Sequence, residues 1–347
     1  MLFRMGLSAL WYSGIARALE PLTRGIGTIL VLHRVQPRPL QTGFSPNATL
    51  AITPEYLDAL LTRLGRDRMD FVDLDEALRR LADPAGKRPF VCFTADDGYR
   101  DNFDHAWPIF RRHGTPLTIF VTTGFIDGSV PIWWRVVESV VANRDVVRVR
   151  GNGGELVLPA GDLGAKHEAY AQLVASFFGM TVPETRATIA ALAEDNDCDP
   201  LSVCAGELCT WDMLRAMKKS GGVDIGCHTV NHPVLANESV DVVRAEMVDA
   251  RATLEHELGE EVRHFAYPYG AAEHAGPREF ALARDVGFAS ATTARKGSLH
   301  REHVDHLYAL PRVDMSPEFA GSPHYLRTTL SGLPLLAWNR GRRVVSG

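Results

Sequence analysis

Short, almost wholly apolar runs recur along this chain, and a helix-patterned segment follows nearly every one. The runs are TILVLH (28–33), FVDL (71–74), PFVCFT (89–94), PLTIFVTT (116–123), VDIGCH (223–228), VRHFAYP (262–268), FASATT (288–293) and LYALPRVD (307–314). Between them lie helical patterns such as TPEYLDALLTRL (53–64), with a capping Thr53 before Pro54, and the long VDVVRAEMVDARATLEHELG (240–259). Strands apolar on both faces, alternating with helices, imply a parallel sheet covered by helices. Seven or eight such units in one series favour a distorted (β/α) barrel over an open sheet. The composition fits: 347 residues, 46% hydrophobic and 23% charged. A net charge of −5 with no basic block argues against nucleic acid as a partner. Five cysteines with no CxxC spacing argue against a disulfide framework or a cysteine zinc site, and fit a reducing compartment.

The rhythm breaks between 133 and 209. WWRVVESVV (133–141) and KHEAYAQLVASFF (166–178) look helical, and VRVRGNGGELVLP (147–159) looks like a hairpin. The expected organisation is therefore an N-terminal amphipathic helix over 1–26, a barrel formed by 27–132 and 210–335, and an inserted helical and hairpin subdomain at 133–209, placed as a lid or substrate wall. The N-terminal run MGLSALWYSGIA (5–16) has two readings. One is a docking helix, which suits a cytoplasmic protein able to touch the inner membrane face. The other is a signal peptide over residues 1–18, which implies export. The run is too short to span a bilayer.

In α/β barrels, chemistry collects at the C-terminal ends of strands. Asp96 and Asp97 stand just past PFVCFT, and two adjacent carboxylates there are costly unless a cation compensates. An Asp-Gly turn explains Asp97-Gly98 but not the pair. His228 and His232, four apart and just past VDIGCH, supply two imidazoles able to face one metal. Two histidines and one aspartate make a three-ligand site with open positions.

These residues carry a resemblance. TADDG (94–98), HTVNH (228–232) and FAYPYG (265–270) resemble, in order, the motifs of the polysaccharide deacetylase family, also called the NodB homology or carbohydrate esterase 4 group. The resemblance extends over most of 27–314, the insertion excepted. It implies a NodB-like barrel and hydrolysis of N-acetyl groups on an amino-sugar glycan, releasing acetate. It also implies a divalent cation, zinc by default with cobalt, nickel or manganese as alternatives, on Asp97, His228 and His232. Asp96 falls on the general base, and Tyr269, with Tyr267 beside it, on the substrate-binding third motif, where the Tyr269 backbone N–H is the implied oxyanion donor. Two other readings stay open: a deformylase or deacylase of a lipid-linked sugar, and a catalytically inactive glycan-binding module.

The departures are specific. Ala95 stands in place of a phenylalanine, a change expected to reshape only the core. Ala266 stands where the family commonly has an arginine that steadies the catalytic aspartate. Arg263 lies three residues earlier, and Arg312, in the last strand, is a candidate to supply the charge instead; a surface salt bridge is the alternative for Arg312. The family's last motif, L-x-H, provides a general-acid histidine near the C-terminus. Here SLH (298–300) lies in a polar loop, whereas LVLH (30–33) ends the first strand, which assigns the acid to His33 if the motif is permuted to the N-terminus. A rim histidine satisfied by backbone is the alternative for His33.

Overall fold

A computed structural model describes residues 2–37, 43–151, 154–320 and 322–346. Seven parallel strands close into a ring: β1 (Gly27–Leu32), β2 (Phe90–Ala95), β3 (Leu117–Val121), β4 (Val223–Cys227), β5 (His264–Ala266), β6 (Ser290–Lys296) and β7 (Leu310–Asp314). Closure comes from β1, which pairs with β7 on one side and with β2 on the other. The first and last strands of the chain are thus neighbours. The FVDL run forms a strand, Asp70–Val72, outside the ring. It pairs with the first half of β2, whose second half pairs with β3. Three residues are too few to reach the far end of the sheet, so the ring has seven members rather than eight.

Strand alternation sorts the side chains into two layers. Ile29, Phe90, Cys92, Phe120, Ala266 and Leu310 pack together in the lumen, closed at the strands' N-terminal end by Leu74, Ala77 and Leu81 of a helix (Leu74–Ala82). Their strand neighbours Leu30, Leu32, Val91, Phe93, Ile119, Ile225 and Val313 pack outward against the surrounding helices. Ala95 belongs to this outer layer and is fully buried, so the missing phenylalanine is a core substitution.

The N-terminal segment is two helices, not one. Leu2–Tyr12 and Ile15–Thr23 are separated at Gly14, whose φ of 73° is open to glycine at no steric cost. Residues 133–209 fold into helices Trp133–Asn143, Leu163–Phe177, Val182–Asp195 and Pro200–Cys204 plus an antiparallel hairpin, Val146–Gly151 with Gly154–Pro159. They surround a second apolar cluster that includes Val136, Val140, Leu173 and Leu192, together with Tyr99 and Phe125 from the barrel loops. All five cysteines are free thiols.

Candidate active site

The period-2 rule places the site. In β2, Phe90, Cys92 and Thr94 face the lumen, and the next lumen position is Asp96. In β7 the series is Leu310, Arg312, Asp314; in β1 it is Ile29, Val31, His33. Asp96, Arg312, Asp314, Val31 and His33 all line one cavity of about 370 Å³ at the strands' C-terminal end. The same rule corrects the expectation for Tyr267. One residue past Ala266, it turns outward, packs on Phe265 and Phe280, and donates its hydroxyl to the Tyr308 carbonyl at 2.9 Å. It does not line the cavity.

Asp96 and Arg312 form a bidentate pair, Nη1 to Oδ1 and Nη2 to Oδ2, both at 2.7 Å. Arg312 also donates to Thr94 Oγ1 at 3.2 Å and to the Thr293 carbonyl at 2.9 Å, and lies over the Phe120 ring. The pair is buried, not a surface bridge. Burial works to raise the Asp96 pKa, but the Arg312 charge, with His228 and the Arg312 hydrogen bonds, outweighs it and holds the carboxyl below its ordinary range. Arg312 therefore occupies the place that Ala266 leaves, from two strands away. Arg263 sits at the other end of β5, paired with Asp75.

Asp97 cannot follow the strand outward. A left-handed backbone, φ 74°, turns its carboxylate towards the loop after β4. That loop carries two more left-handed residues, Thr229 (φ 69°) and His232 (φ 53°). Such conformations cost of order 1–3 kcal/mol each for residues with a side chain and gather where function over-determines them. Asp97 Oδ1 lies 3.5 Å from His228 Nε2 and 3.3 Å from His232 Nε2. His228 Nδ1 is 2.7 Å from the Ala266 carbonyl, which can only accept, so the proton is on Nδ1 and Nε2 presents a lone pair to the carboxylate. Burial pushes the His228 pKa down to about 4, which keeps the ring neutral. Asp97 Oδ1 is buried with no hydrogen-bond partner, and the three ligand atoms lie within 4.8 Å of one another. Two imidazole nitrogens converging on one buried carboxylate oxygen make a site for a cation, and the donor set of two imidazoles and one carboxylate fits a divalent transition metal.

His228 also sets a pH response. Its pKa is about 6.5 unfolded and about 4 folded, so the unfolded chain binds more protons between those values. This group's contribution to stability is full above pH 6.5 and is lost as pH falls through 4. The metal-free protein is expected to lose melting temperature across that window, and a His228→Asn variant to lose less, in thermal scans from pH 7 to 4.

The loop holding both histidines is tied down by a residue that the sequence did not single out. Glu246, on the helix Val240–Leu258, accepts from the Val230 and Asn231 backbone N–H groups at 2.9 Å each and from the Asn231 side chain. It is buried and lies fifteen and sixteen residues beyond its targets, with nothing local to mark it. Glu246→Ala is expected to weaken metal affinity roughly ten- to a hundredfold, read by competition with a chelator.

His33 faces the cavity from β1 with Asp314 beside it, one strand over, in register with Val31. Burial raises the Asp314 pKa, partly offset by the His33, Lys296 and Arg312 charges. The alternative, His300, is at the wrong end: Leu299 bridges to Gly27 where β1 begins. Tyr269, also left-handed at φ 60°, packs edge-on against His232 and accepts from Trp133 Nε1 at 2.9 Å. Gly270 follows at φ 64°, where a Cβ would lie 2.4 Å from the Ala294 backbone nitrogen. Trp134 donates to Tyr99 at 3.0 Å, so both tryptophans anchor the inserted segment and line the cavity. Tyr170, Val174 and Phe178 from that segment, with Asn47 and Leu50, complete the wall.

Residues 161–289 match the family model described as polysaccharide deacetylase, a span that includes His228, His232 and Tyr269 but not Asp96, Asp97, His33 or Arg312. Among solved structures, the deacetylase PplD of Streptococcus pyogenes, in complex with acetate, is similar at 20% identity over 87% of this chain and 97% of that one, with a TM-score of 0.57. IcaB from Ammonifex degensii is similar at 19% identity over 89% and 97%, with a TM-score of 0.56. The polysaccharide deacetylase BC0361 from Bacillus cereus is similar at 15% identity over 88% and 68%, with a TM-score of 0.54. No curated protein matches by sequence.

Proposed function

We propose that the chain, whose residues 161–289 match the polysaccharide deacetylase model, is a hydrolase of N-acetyl amide bonds and, more finely, a metal-dependent N-deacetylase of an amino-sugar glycan of the N-acetylglucosamine type. The observation that carries this reading is the convergence, in one cavity, of the cation-ready cluster Asp97–His228–His232 with a separate carboxylate, Asp96, held ionised by Arg312. The two adjacent aspartates then have different tasks. A divalent cation on the cluster supplies positive charge that polarises the acetyl carbonyl and makes water more acidic. Asp96 accepts the proton of the attacking water. The Tyr269 backbone N–H, which has no partner among the described residues, donates to the developing oxyanion. His33, with Asp314 one strand away in the same cavity, gives a proton to the leaving amine. The rings of Trp133, Trp134, Tyr170 and Phe178 offer apolar faces to a sugar.

The alternative of an inactive glycan-binding module drew on Ala95 and on the missing arginine at Ala266. The buried place of Ala95 in the outer layer and the Arg312–Asp96 pair both speak against it. Acetate release from N-acetylglucosamine oligomers tests the reading. Chelation should abolish it and Zn²⁺, Co²⁺, Ni²⁺ or Mn²⁺ should restore it. Full activity after removal of all bound metal would overturn the metal dependence, and absence of acetate from every metal-loaded form would overturn the activity.

A further inference from the structure

We propose that the terminal helices form a docking surface for an anionic lipid bilayer. Each N-terminal helix has one face fixed to the rest of the fold, largely through the helix Pro323–Thr329. Leu7 is buried in the main core, Trp11 stacks on His324, and both Glu20 carboxylate oxygens accept from Arg327 Nη2, at 3.0 and 2.8 Å. The other faces carry apolar side chains in the open. Met5 and Tyr12, seven apart on the first helix, are 57% and 78% exposed. Ile15, Leu19 and Leu22, at helical spacing on the second, are 48%, 37% and 69% exposed. Trp338, on the adjoining helix Leu333–Trp338, is 63% exposed. Six of the fifteen large apolar side chains exposed among the described residues lie on these short helices. Scattered exposed apolar residues need no explanation; a concentration of this kind marks an interaction site.

Charge selects the partner. The chain as a whole is net negative, at −5. Its terminal segments are the reverse: Arg4, Arg17 and Arg24 on one side and Arg340, Arg342 and Arg343 on the other. Glu20 is the only carboxylate in residues 2–24 and 322–346, and it is already committed to Arg327. Arg4, Arg17, Arg340 and Arg342 have no ion-pair partner among the described residues. The two segments adjoin: Arg343 donates to the Leu22 carbonyl and Thr23 donates to the Ser331 carbonyl at 2.6 Å. Arginines around an apolar stripe, with a tryptophan beside them, match the boundary between anionic headgroups and acyl chains. No described helix is long and apolar enough to cross a membrane, so the contact is peripheral. This inference does not depend on the catalytic reading.

The test is co-sedimentation of the whole chain with vesicles of equal parts phosphatidylglycerol and phosphatidylcholine, against vesicles of phosphatidylcholine alone. The protein should partition to the anionic vesicles and be largely released by high salt. Leu19→Glu with Leu22→Glu should weaken partitioning tenfold or more. Arg340→Gln with Arg342→Gln should weaken it about fivefold per charge removed. Both pairs should keep their melting temperature and their acetate release from a soluble oligomer, a readout that separates failure here from failure of the deacetylase reading. No partitioning of the parent protein, or undiminished partitioning of both variants, would overturn the proposal. So would a dimer in solution that the Leu19→Glu, Leu22→Glu variant dissociates, which would assign the face to a second copy of the chain.

Discussion

Asp96→Asn is expected to lower deacetylation on the order of a hundredfold or more while leaving the metal in place. The asparagine keeps the shape and one acceptor for Arg312 but cannot take a proton. It also leaves the Arg312 guanidinium buried without a counter-charge, so the variant should lose about 3 kcal/mol of stability. The two effects separate in a second variant. Arg312→Met added to Asp96→Asn removes the orphaned charge and should recover part of the melting temperature, but none of the turnover. Arg312→Met alone should shift the acid limb of the pH–rate profile upward, because the largest opposition to the effect of burial on Asp96 is then gone. The sign for stability follows from the lowered pKa. The pair stabilises the fold above the ordinary aspartate pKa, and that contribution is lost as pH falls through the lower, native value. Near-parental turnover of Asp96→Asn, measured on metal-loaded protein, would remove Asp96 from the base role.

His33→Ala is expected to lose most activity on amides, on the order of a hundredfold, and much less on an ester with a good leaving group. An amine departs poorly unless protonated, whereas an activated alkoxide needs no acid. The alkaline limb of the amide pH–rate profile should change with it, and Asp314→Asn should show a weaker version of the same selectivity. Asp314 sits one strand away from His33 and lines the same cavity; an effect through the imidazole predicts that its variant shifts the pH profile more than it shifts substrate affinity. Equal losses on amide and ester would end the assignment of His33, and with it the idea that the family's last motif has moved to the start of the chain.

Much of this site was legible because β-strand alternation is a local property. PFVCFT followed by Asp96, ALPRVD carrying Arg312 and Asp314, and LVLH ending in His33 each put a polar side chain at the next lumen position of a buried strand. The same parity turns Tyr267 away from the site, and it was available in the sequence; proximity to Tyr269 in one motif gave the wrong expectation. Glu246 was not legible, because its partners lie on a loop reached only through the tertiary path of a nineteen-residue helix. The replacement of the arginine absent at Ala266 could be named from sequence but not decided. Arg263 and Arg312 were both available, and only their opposite ends of the barrel distinguish them.

The sequence by itself determined the run of strands and helices, the parallel sheet that covered apolar strands require, and which residues stand at strand ends. Those features depend on side chains a few positions apart. Tertiary structure alone decided the ring of seven, with the FVDL strand left outside it, and the neighbouring of β1 and β7 that brings His33 to Asp314. It also decided the left-handed turn at Asp97 that points a second carboxylate at two histidines more than a hundred residues away. These depend on loop closure and on backbone strain that packing alone sustains, and no local spacing encodes either.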